Sequence, residues 1–406
     1  MFEKLNTPIL PQGYKINGIA CGLKKVKKDL ALLVSENLCN SAGTYTTNKV
    51  KAAPVIWDQY LTESKFKTKA IIVNSGNANA CTSLQGEKDN EEIASTLATQ
   101  LNCDKTNVLV CSTGVIGVPL DMGIYKKGID LITPSVDTTN ENLDNFSTAI
   151  LTTDTTKKIV SVKTLIDGKE VIITGVAKGS GMIHPNMATM LSFIFTDANI
   201  DQATLQSLLG NTIEDTYNMI SVDGDTSTND TVLSLANGSA NNTLIKKGSN
   251  SYETFKEAFM YVNTYLAKEI VKDGEGASKF IEVSLTGAKT QKDAKNIART
   301  VISSSLVKAA FFGSDANWGR ILCAMGYSDS SFDVDKVTIH FESNKGKICV
   351  VENGQPIKFD EDKAKEILLE KTIIVLIDLN DGSFSSKAWG CDLTYDYVKI
   401  NGDYRS

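Results

Sequence analysis

The strongest constraint on the fold is an irregular succession of short apolar runs and longer amphipathic segments. The apolar runs have the composition typical of strands, and they span residues 30–34, 70–73, 108–111, 171–174, 191–195, 281–285, 337–341 and 373–377. Helical spacing of apolar residues extends over residues 90–101, 202–216, 252–271, 292–309 and 361–370. Because strands and helices do not alternate one for one, the pattern favours layered α+β packing over a regular doubly wound sheet.

The length of 406 residues predicts two or three domains, at roughly 150 residues each. A polar segment at residues 286–291 separates a predicted strand from a long predicted helix. We therefore predict a main domain over residues 1–285 and a smaller C-terminal domain over residues 286–406. The tail at residues 397–406 has a strand-like pattern with a polar end.

Composition argues against several classes of function. The chain has 42 Lys and Arg residues against 48 Asp and Glu residues, a formal net charge of −6, which disfavours nucleic acid as the main partner. The lysine cluster at residues 24–28 is interpreted as a solvated turn.

No apolar run reaches the roughly 18 residues of a membrane helix, and residues 1–20 lack the apolar core of a signal peptide. The eight cysteines are scattered without a CxxC pair, which is typical of reduced thiols in a cytoplasmic protein.

The scarcity of histidine limits the chemistry further. Only His184 and His340 are present, so a Ser-His-Asp or Cys-His site must use one of them. Zinc sites built on two or three histidines are nearly excluded, and the HExxH, GxSxG and Walker A motifs are absent. An enzyme of this composition is expected to transfer protons with carboxylates, lysine, hydroxyls or a free amine.

An acidic segment at residues 223–227 resembles the start of a calcium-binding loop. Asp223 and Asp225 have the required spacing, but Thr228 occupies the position that needs glycine and Ser234 the position that needs a bidentate glutamate. The segment is therefore interpreted as an acid-rich turn, and no metal site is predicted.

One threonine has a context that suits a nucleophile without histidine. A threonine that becomes the N-terminus of a chain can use its own α-amine as the base, because that amine has a pKa of roughly 7.7–8.0. Thr189 follows the small residue Ala188 and a glycine-rich turn at residues 178–181. The alternative is an ordinary β-forming threonine whose hydroxyl is hydrogen-bonded within a strand.

Many segments, in order and over nearly the full length, make the chain resemble a known family. They are PQGY (11–14), AGTYTTN (42–48), AAPV (52–55), NSGNANAC (74–81), STGVIG (112–117), TTDT (152–155), KGSGMIHPNMATML (178–191), DGEGA (273–277), GSDANWGR (313–320) and YDYVKINGDYRS (395–406). With these segments the chain is similar to the ornithine acetyltransferases of arginine biosynthesis, which are often bifunctional glutamate N-acetyltransferases. The turn KGSG departs from the more common KGAG, and NGD in the tail from NAD.

The resemblance implies self-cleavage between Ala188 and Thr189, which would give an α chain of residues 1–188 and a β chain of residues 189–406. Thr189 would be the nucleophile, and Thr113 and Gly114 would form the oxyanion hole through a hydroxyl and a backbone N–H. The family's substrate contacts map to Thr152, Lys178, Thr189, Glu275, Asn401 and Ser406. The implied fold is the α/β/β/α sandwich of the self-processing aminopeptidases, with a smaller C-terminal domain.

The implied reaction is a ping-pong acetyl transfer from N2-acetyl-L-ornithine to L-glutamate through an acetyl-threonine ester. The resemblance leaves acetyl-CoA as a possible second donor, implies no bound cofactor or metal, and implies a cytoplasmic α2β2 heterotetramer. Two alternatives stay open on the sequence alone, a self-processing aminopeptidase and a non-catalytic small-molecule binding protein of the same fold. It also stays open whether Thr152 or Thr153 contacts the substrate. His184 has either a hydrogen-bonding role near the cleavage site or a merely structural one.

Overall fold

Two mixed β-sheets organise the chain in a computed structural model, which describes residues 2–184 and 190–403. Ala188, Thr189 and Ser406 therefore lie outside the described residues. The strands are β1 (Phe2–Lys4), β2 (Tyr14–Ile19), β3 (Leu30–Tyr45), β4 (Thr68–Asn77), β5 (Val108–Val115), β6 (Lys158–Ile166), β7 (Lys169–Lys178), β8 (Leu191–Thr196), β9 (Ile220–Ser221), β10 (Thr231–Ala236), β11 (Phe280–Ala288), β12 (Thr338–Ser343), β13 (Gly346–Glu352), β14 (Gln355–Pro356), β15 (Thr372–Asp378) and β16 (Phe384–Cys391).

Helices connect these strands. They are α1 (Ala53–Glu63), α2 (Ser83–Leu101), α3 (Met122–Ile132), α4 (Asn140–Ala149), α5 (Gln202–Asp215), α6 (Asn250–Lys272), α7 (Gln291–Ser303), α8 (Ser305–Phe312), α9 (Trp318–Gly326), α10 (Glu361–Leu368) and α11 (Tyr395–Gly402). Among the described residues, no helix has the length and apolarity to cross a membrane.

The first sheet has the order β1-β6-β7-β8-β10-β3-β4-β5, and β2 also pairs with β3. Its neighbours are antiparallel, except for the parallel pairs β8–β10 and β4–β5. The second sheet has the order β14-β13-β12-β15-β11-β16-β9, with β11–β15 and β16–β9 parallel. The predicted layered α+β class, with mixed sheets covered by helices, is confirmed.

Local sequence explains the hairpin that carries the first site residue. β6 and β7 pair from Lys158↔Ala177 to Ile166↔Lys169, and the two residues between them are Asp167 (φ +49°) and Gly168 (φ +78°). A two-residue turn with positive φ at both positions matches the right-handed twist of the strands, and Asp-Gly is a preferred pair for it. The hairpin ends at Lys178, which enters the site.

The long helix α6 lies between the two sheets. Ser249 caps its N-terminus by accepting a hydrogen bond from the backbone N–H of Tyr252 at 3.1 Å. Its buried side chains, such as Phe255, Phe259 and Leu266, recur every three to four residues, and the helix contacts β6, β7 and β16. One apolar cluster therefore continues from the first sheet into the second.

The predicted strands and helices are present, with two corrections. The predicted helix over residues 292–309 is broken, because Ser304 has the extended conformation φ −68°, ψ 116° and its side chain caps α8. The strand predicted for the tail is wrong, because residues 395–402 form α11, which begins at the capping residue Thr394. The domain division at residues 285 and 286 stays a prediction, and both residues lie within β11.

Candidate active site

One cavity of about 320 Å³ brings together most of the site residues that the sequence predicts. The predicted residues at its wall are Thr113, Gly114, Thr152, Lys178, Glu275 and Asn401. Thr153, Ser227, Thr228 and Asn229 also line it. A cavity of this size with several convergent polar groups is typical of a small-molecule site.

The predicted oxyanion donors lie at the end of β5, which is the outer strand of the first sheet as described. An edge strand leaves alternate backbone N–H groups without a strand partner, so such groups are available to a ligand. Gly114 has φ +138°, and a Cβ there would lie 2.3 Å from the backbone carbon of Gly76 in β4. Only glycine fits this close approach of two strand ends.

Lys178 orients the other predicted donor. Its Nζ lies 3.3 Å from Oγ1 of Thr113, and both side chains are buried. Burial lowers the pKa of Lys178, while the nearby Asp154 carboxylate opposes that effect. An ammonium group can only donate hydrogen bonds, so the Thr113 oxygen accepts this one and its hydroxyl hydrogen is free to point into the cavity.

A buried lysine behind the cavity joins three segments. Nζ of Lys158 lies 2.8 Å from Asp154 and 2.6 Å from Asp273, and all three side chains are at most 4% exposed. Burial opposes the ionisation of Asp154, but Lys178 and Lys158 together lower its pKa to about 2. A buried charge network of this kind is stable only when each member has its partners.

Each carboxylate of this network also positions backbone. Asp154 accepts hydrogen bonds from the N–H of Thr152 at 3.1 Å and of Gly179 at 2.6 Å. Asp273 accepts from the N–H of Thr155 and of Thr156 at 3.1–3.2 Å. The loops that carry Thr152, Lys178 and Glu275 are therefore held together by one electrostatic centre.

Glu275 is placed by its contacts with two further segments. Its backbone N–H donates to the carbonyl of Ser180 at 2.9 Å, and Nδ2 of Asn401 donates to its Oε2 at 2.8 Å. A Cβ on Gly181 would lie 2.3 Å from the Glu275 carboxylate, so the second glycine of the KGSG turn makes room for this side chain.

The two neighbouring threonines, Thr152 and Thr153, make different contacts in the structure. Both Thr152 and Thr153 line the cavity. The Thr153 hydroxyl lies 2.7 Å from the hydroxyl of Ser180, whereas the Thr152 backbone is fixed by Asp154. The assignment of Thr152 as the substrate contact stays a prediction.

Two aspartates, Asp223 of the acid-rich turn and Asp230 just before β10, hold the segments on the two sides of the predicted cleavage site. Asp223 accepts from the backbone N–H of Met182 at 2.6 Å and of Ile183 at 2.9 Å. Asp230 accepts from the N–H of Met190 at 2.9 Å, and burial raises the pKa of Asp230 well above its ordinary value. Among residues 2–184 and 190–403, no cluster of His, Cys, Asp and Glu has the geometry of a metal site. These carboxylates instead bind backbone amides.

Met182 has a left-handed backbone, with φ +57°. This conformation is uncommon for a residue other than glycine; it costs of order 1–3 kcal/mol and persists only where the surroundings impose it. The two hydrogen bonds that Asp223 accepts from Met182 and Ile183 impose it here, in the described segment before the predicted cleavage site.

Sequence reasoning missed Asn229, which joins two strand ends at the cavity. Its Nδ2 donates to the carbonyls of Ala78 at 2.6 Å and Ser112 at 2.8 Å. Thr228 donates to its Oδ1 at 2.6 Å. Ala78 and Ser112 belong to the segments NSGNANAC and STGVIG, which the sequence did indicate. Only the fold shows that the distant Asn229 connects the two segments by hydrogen bonds.

The histidines lie outside this cavity. Nδ1 of His184 lies 3.3 Å from the Ser221 hydroxyl, and burial lowers the pKa of His184. His340 lies in β12 of the second sheet. The segment at residues 313–320 runs from the C-cap of α8 into the first turn of α9. Arg320 there donates to the carbonyl of Leu306 at 2.9 Å, and the segment does not line the cavity either.

The mixed sheets and a cavity with paired hydroxyl and amide donors are typical of an acyl-transfer enzyme. Residues 15–406 match the ArgJ family, and the chain belongs to that family. This confirms the resemblance seen in the sequence.

The chain is similar to curated ArgJ proteins over nearly its whole length. The arginine biosynthesis bifunctional protein ArgJ of Caldanaerobacter subterraneus subsp. tengcongensis is 53% identical over 397 residues, which cover 98% of each chain. That of Thermotoga neapolitana is 50% identical over 398 residues, covering 98% of this chain and 100% of the relative. A crystal structure of the Bacillus halodurans protein of the same name has 43% identity and a TM-score of 0.51, covering 53% of this chain and 100% of that one.

Proposed function

We propose that the chain is a self-cleaving acetyltransferase that moves the acetyl group of N2-acetyl-L-ornithine to L-glutamate. The products are L-ornithine and N-acetyl-L-glutamate. The observation that carries the proposal is a cavity in which Lys178 contacts Thr113 beside Gly114, and whose wall also includes Glu275. Membership of the ArgJ family places the activity in arginine biosynthesis.

Thr189 is the proposed nucleophile, after cleavage of the Ala188–Thr189 bond frees its α-amine. The hydroxyl oxygen attacks the acetyl carbonyl, and its proton passes to the α-amine. The Thr113 hydroxyl and the Gly114 N–H stabilise the tetrahedral oxyanion. The C–N bond to ornithine then breaks, ornithine leaves with the proton, and an acetyl ester remains on Thr189.

Glutamate completes the reaction. Its amine attacks the ester carbonyl, the same donors stabilise the second oxyanion, and the C–O bond to Thr189 breaks. The amine loses its proton through the α-amine, and the threonine hydroxyl is restored. One acyl site therefore serves both half-reactions, because ornithine leaves it before glutamate enters.

The charges at the cavity suit amino-acid substrates. Glu275 offers a carboxylate to an ornithine ammonium group, and Lys178 and Thr152 offer donors to an α-carboxylate. Asn401 and Ser406, from the C-terminal tail, are proposed to bind the amino-acid end. In this scheme Asn401 already contacts Glu275 before substrate enters.

The self-cleavage is tested directly on a denaturing gel. We expect purified wild-type protein to give two bands, and N-terminal sequencing of the larger fragment, residues 189–406, to begin Thr-Met-Leu-Ser. Thr189→Ala removes the hydroxyl and should give one uncleaved chain without acetyl transfer. A Thr189→Ala chain that still splits at this bond would show that Thr189 is not the internal nucleophile.

The same preparation tests the reaction. We expect acetyl transfer from N2-acetyl-L-ornithine to labelled glutamate, with Thr113→Val slower by about 10²–10³-fold in kcat because one oxyanion donor is lost. Release of amino acids from short peptides without acetyl transfer would favour the aminopeptidase instead. An intact, inactive wild-type chain would favour the binding protein.

We further propose that acetyl-CoA serves as a second acetyl donor to glutamate, which would account for the word bifunctional in the names of the relatives. An α2β2 assembly and a cytoplasmic location are also proposed. The location is supported by the eight free cysteines, since free thiols persist in reducing compartments.

A further inference from the structure

The outer edge of β5 has no neighbouring strand among the described residues, and side chains take the place of one. The indole N–H of Trp57 donates to the carbonyl of Val108 at 3.0 Å. The carboxyl group of Asp58 accepts a hydrogen bond from the N–H of Val110 at 2.8 Å. Both side chains belong to α1, which packs against β5. The helix therefore satisfies backbone groups that a further strand would otherwise pair.

The same row of contacts continues towards the cavity. Nδ2 of Asn229 donates to the carbonyl of Ser112 at 2.8 Å, two residues further along the strand. Successive residues of a strand direct their backbone groups to opposite edges. Val115 faces β4, because its carbonyl accepts from the N–H of Ala78 at 2.9 Å. By this alternation, Gly114 is the next residue whose N–H points outwards, and this is the predicted oxyanion donor.

The polar atoms of the Asn229 side chain are all engaged by the protein. Nδ2 carries two hydrogens, which are directed to the carbonyls of Ser112 at 2.8 Å and Ala78 at 2.6 Å. Oδ1 accepts from the Thr228 hydroxyl at 2.6 Å, and Asn229 is only 5% exposed. Asn229 therefore acts on the backbone of the site, although it lies at the cavity wall.

The next residue, Asp230, extends this link to the first residues of the proposed β chain. Asp230 accepts from the N–H of Met190 at 2.9 Å, and the N–H of Thr231 donates to the carbonyl of Met190 at 3.1 Å. Met190 directly follows the proposed nucleophile Thr189 in the chain. Asn229 and Asp230 thus connect the end of β5, which carries the oxyanion donors, to the residue that follows the nucleophile.

We propose that Asn229 is a positioning residue for acetyl transfer. By fixing the carbonyl of Ser112, it sets the direction of the Thr113 hydroxyl and of the Gly114 N–H. The carbonyl of Ser112 and the N–H of Thr113 belong to one planar peptide unit, so a rotation of this unit displaces both donors. Such donors are effective only at about 2.7–3.1 Å from the oxyanion. This inference rests on the proposed function and adds a residue that acts through the backbone.

Asn229→Asp tests the proposal in the cleaved, full-length enzyme. Aspartate keeps the shape of the side chain but replaces the donor by an oxygen that faces two carbonyl oxygens. We expect kcat for acetyl transfer from N2-acetyl-L-ornithine to glutamate to fall by about 10- to 100-fold, the scale for a misplaced catalytic group. KM should stay within about threefold, because the substrate contacts are unchanged. Rates are expressed per cleaved chain, as measured on a denaturing gel.

Asn242→Asp is the matched control. Asn242 is also buried, and its Nδ2 also donates to two backbone carbonyls, those of Thr243 at 2.7 Å and Asn199 at 3.4 Å. It does not line the cavity. We expect this variant to unfold at a lower urea concentration but to keep the wild-type kcat. An equal fall in kcat for the two variants would assign the effect to the loss of a buried amide in general and would overturn the proposal.

A double variant gives a readout that a merely structural role would not move. If Asn229 acts through the oxyanion donors, its substitution should matter less once one donor is already absent. We expect Asn229→Asp combined with Thr113→Val to be at least about threefold faster than the product of the two single effects predicts. Two effects that multiply in full would show that the residues act independently, which would contradict the proposal.

Thr228 provides a second test that does not depend on the folding of Asn229→Asp. Thr228→Val removes the hydroxyl that holds Oδ1 of Asn229, and Thr228→Ser keeps it. We expect the first variant to lower kcat by about threefold to tenfold, the scale for one buried hydrogen bond, and the second to restore it. A kcat for Thr228→Ser that is no higher than that for Thr228→Val would overturn the proposal.

The outcomes separate this inference from the proposed function. Wild-type enzyme that transfers acetyl, together with an Asn229→Asp variant that keeps the wild-type kcat, would overturn only the role of Asn229. Wild-type enzyme that transfers no acetyl group from N2-acetyl-L-ornithine would contradict the proposed function itself.

Discussion

At the scale of single residues, Lys158 is a buried charged group that joins several segments behind the cavity. It is fully buried between Asp154 and Asp273, and through them it holds the loops of Thr152, Lys178 and Glu275. The sequence does not indicate this role, since the second of two adjacent lysines after a threonine-rich loop has no distinctive pattern. Asp273 lies 115 positions away, and only the folded chain shows the pairing.

We expect Lys158→Met to lower the free energy of unfolding by about 3–5 kcal/mol, because two buried carboxylates lose their partner. Urea denaturation monitored by tryptophan fluorescence measures the change. The neighbouring Lys157→Met is the control, since Lys157 pairs with Asp144 at an exposed position and its loss should cost at most about 1 kcal/mol. Equal losses in the two variants would show that the buried network does not stabilise the fold.

At the scale of elements, apolar runs predicted β3, β4, β5, β7, β8, β11, β12 and β15. They did not predict strands such as β6, β10 and β16, in which polar or small residues interrupt the apolar ones. Periodicity also failed where a single polar side chain decides the conformation. Ser304 ends α7 and caps α8, and Thr394 starts α11 in a tail with an alternating pattern. Capping depends on the local backbone geometry, which periodicity does not report.

The helix α11 brings Asn401 to Glu275, so its cap should influence substrate binding. The Thr394 hydroxyl donates to the carbonyl of Gly276 at 2.7 Å and accepts from the N–H of Tyr397 at 3.3 Å. We expect Thr394→Val to raise the KM for N2-acetyl-L-ornithine severalfold, and Thr394→Ser to restore it, because serine keeps both hydrogen bonds.

A cap elsewhere in the chain provides the control for this prediction. Thr139 caps α4 by accepting from the N–H of Asn142 at 3.2 Å, and it does not line the cavity. Thr139→Val should cost about 1 kcal/mol of stability without a change in KM. If Thr394→Val changes stability alone, as Thr139→Val does, then α11 does not position the substrate contact.

At the scale of the whole molecule, the site residues that the resemblance implies lie close together, whereas the residues that support them were not predicted. Thr113, Gly114, Lys178, Glu275 and Asn401 were named from separate motifs, and they meet at one cavity. The sequence did not indicate the roles of Asp223, which lies in the acid-rich turn, or of Asn229 and Asp230, which lie between that turn and β10; these residues hold strand ends and the segments around the predicted cleavage site. Their role depends on which backbone amides the fold brings to them.

The two proposed chains share the first sheet. β8 and β10, which would belong to the β chain, lie between β7 and β3 of the α chain, and both are hydrogen-bonded to them. We expect the cleaved enzyme, after denaturation and dilution, to recover activity with a yield that rises with protein concentration. Uncleaved Thr189→Ala should regain its native far-UV circular dichroism independently of concentration. A concentration-independent yield for the cleaved enzyme would mean that one fragment folds alone.

This interleaving of strands makes the order of events in maturation important. Before the proposed cut, the sheet would assemble within one chain, and folding would be a unimolecular process. After it, the same sheet could be rebuilt only by an encounter of two polypeptides, each of which lacks the strands that cover its own edges. The cleaved enzyme would therefore have folded readily only once, as the precursor, and its persistence would depend on slow unfolding rather than on the ability to fold again.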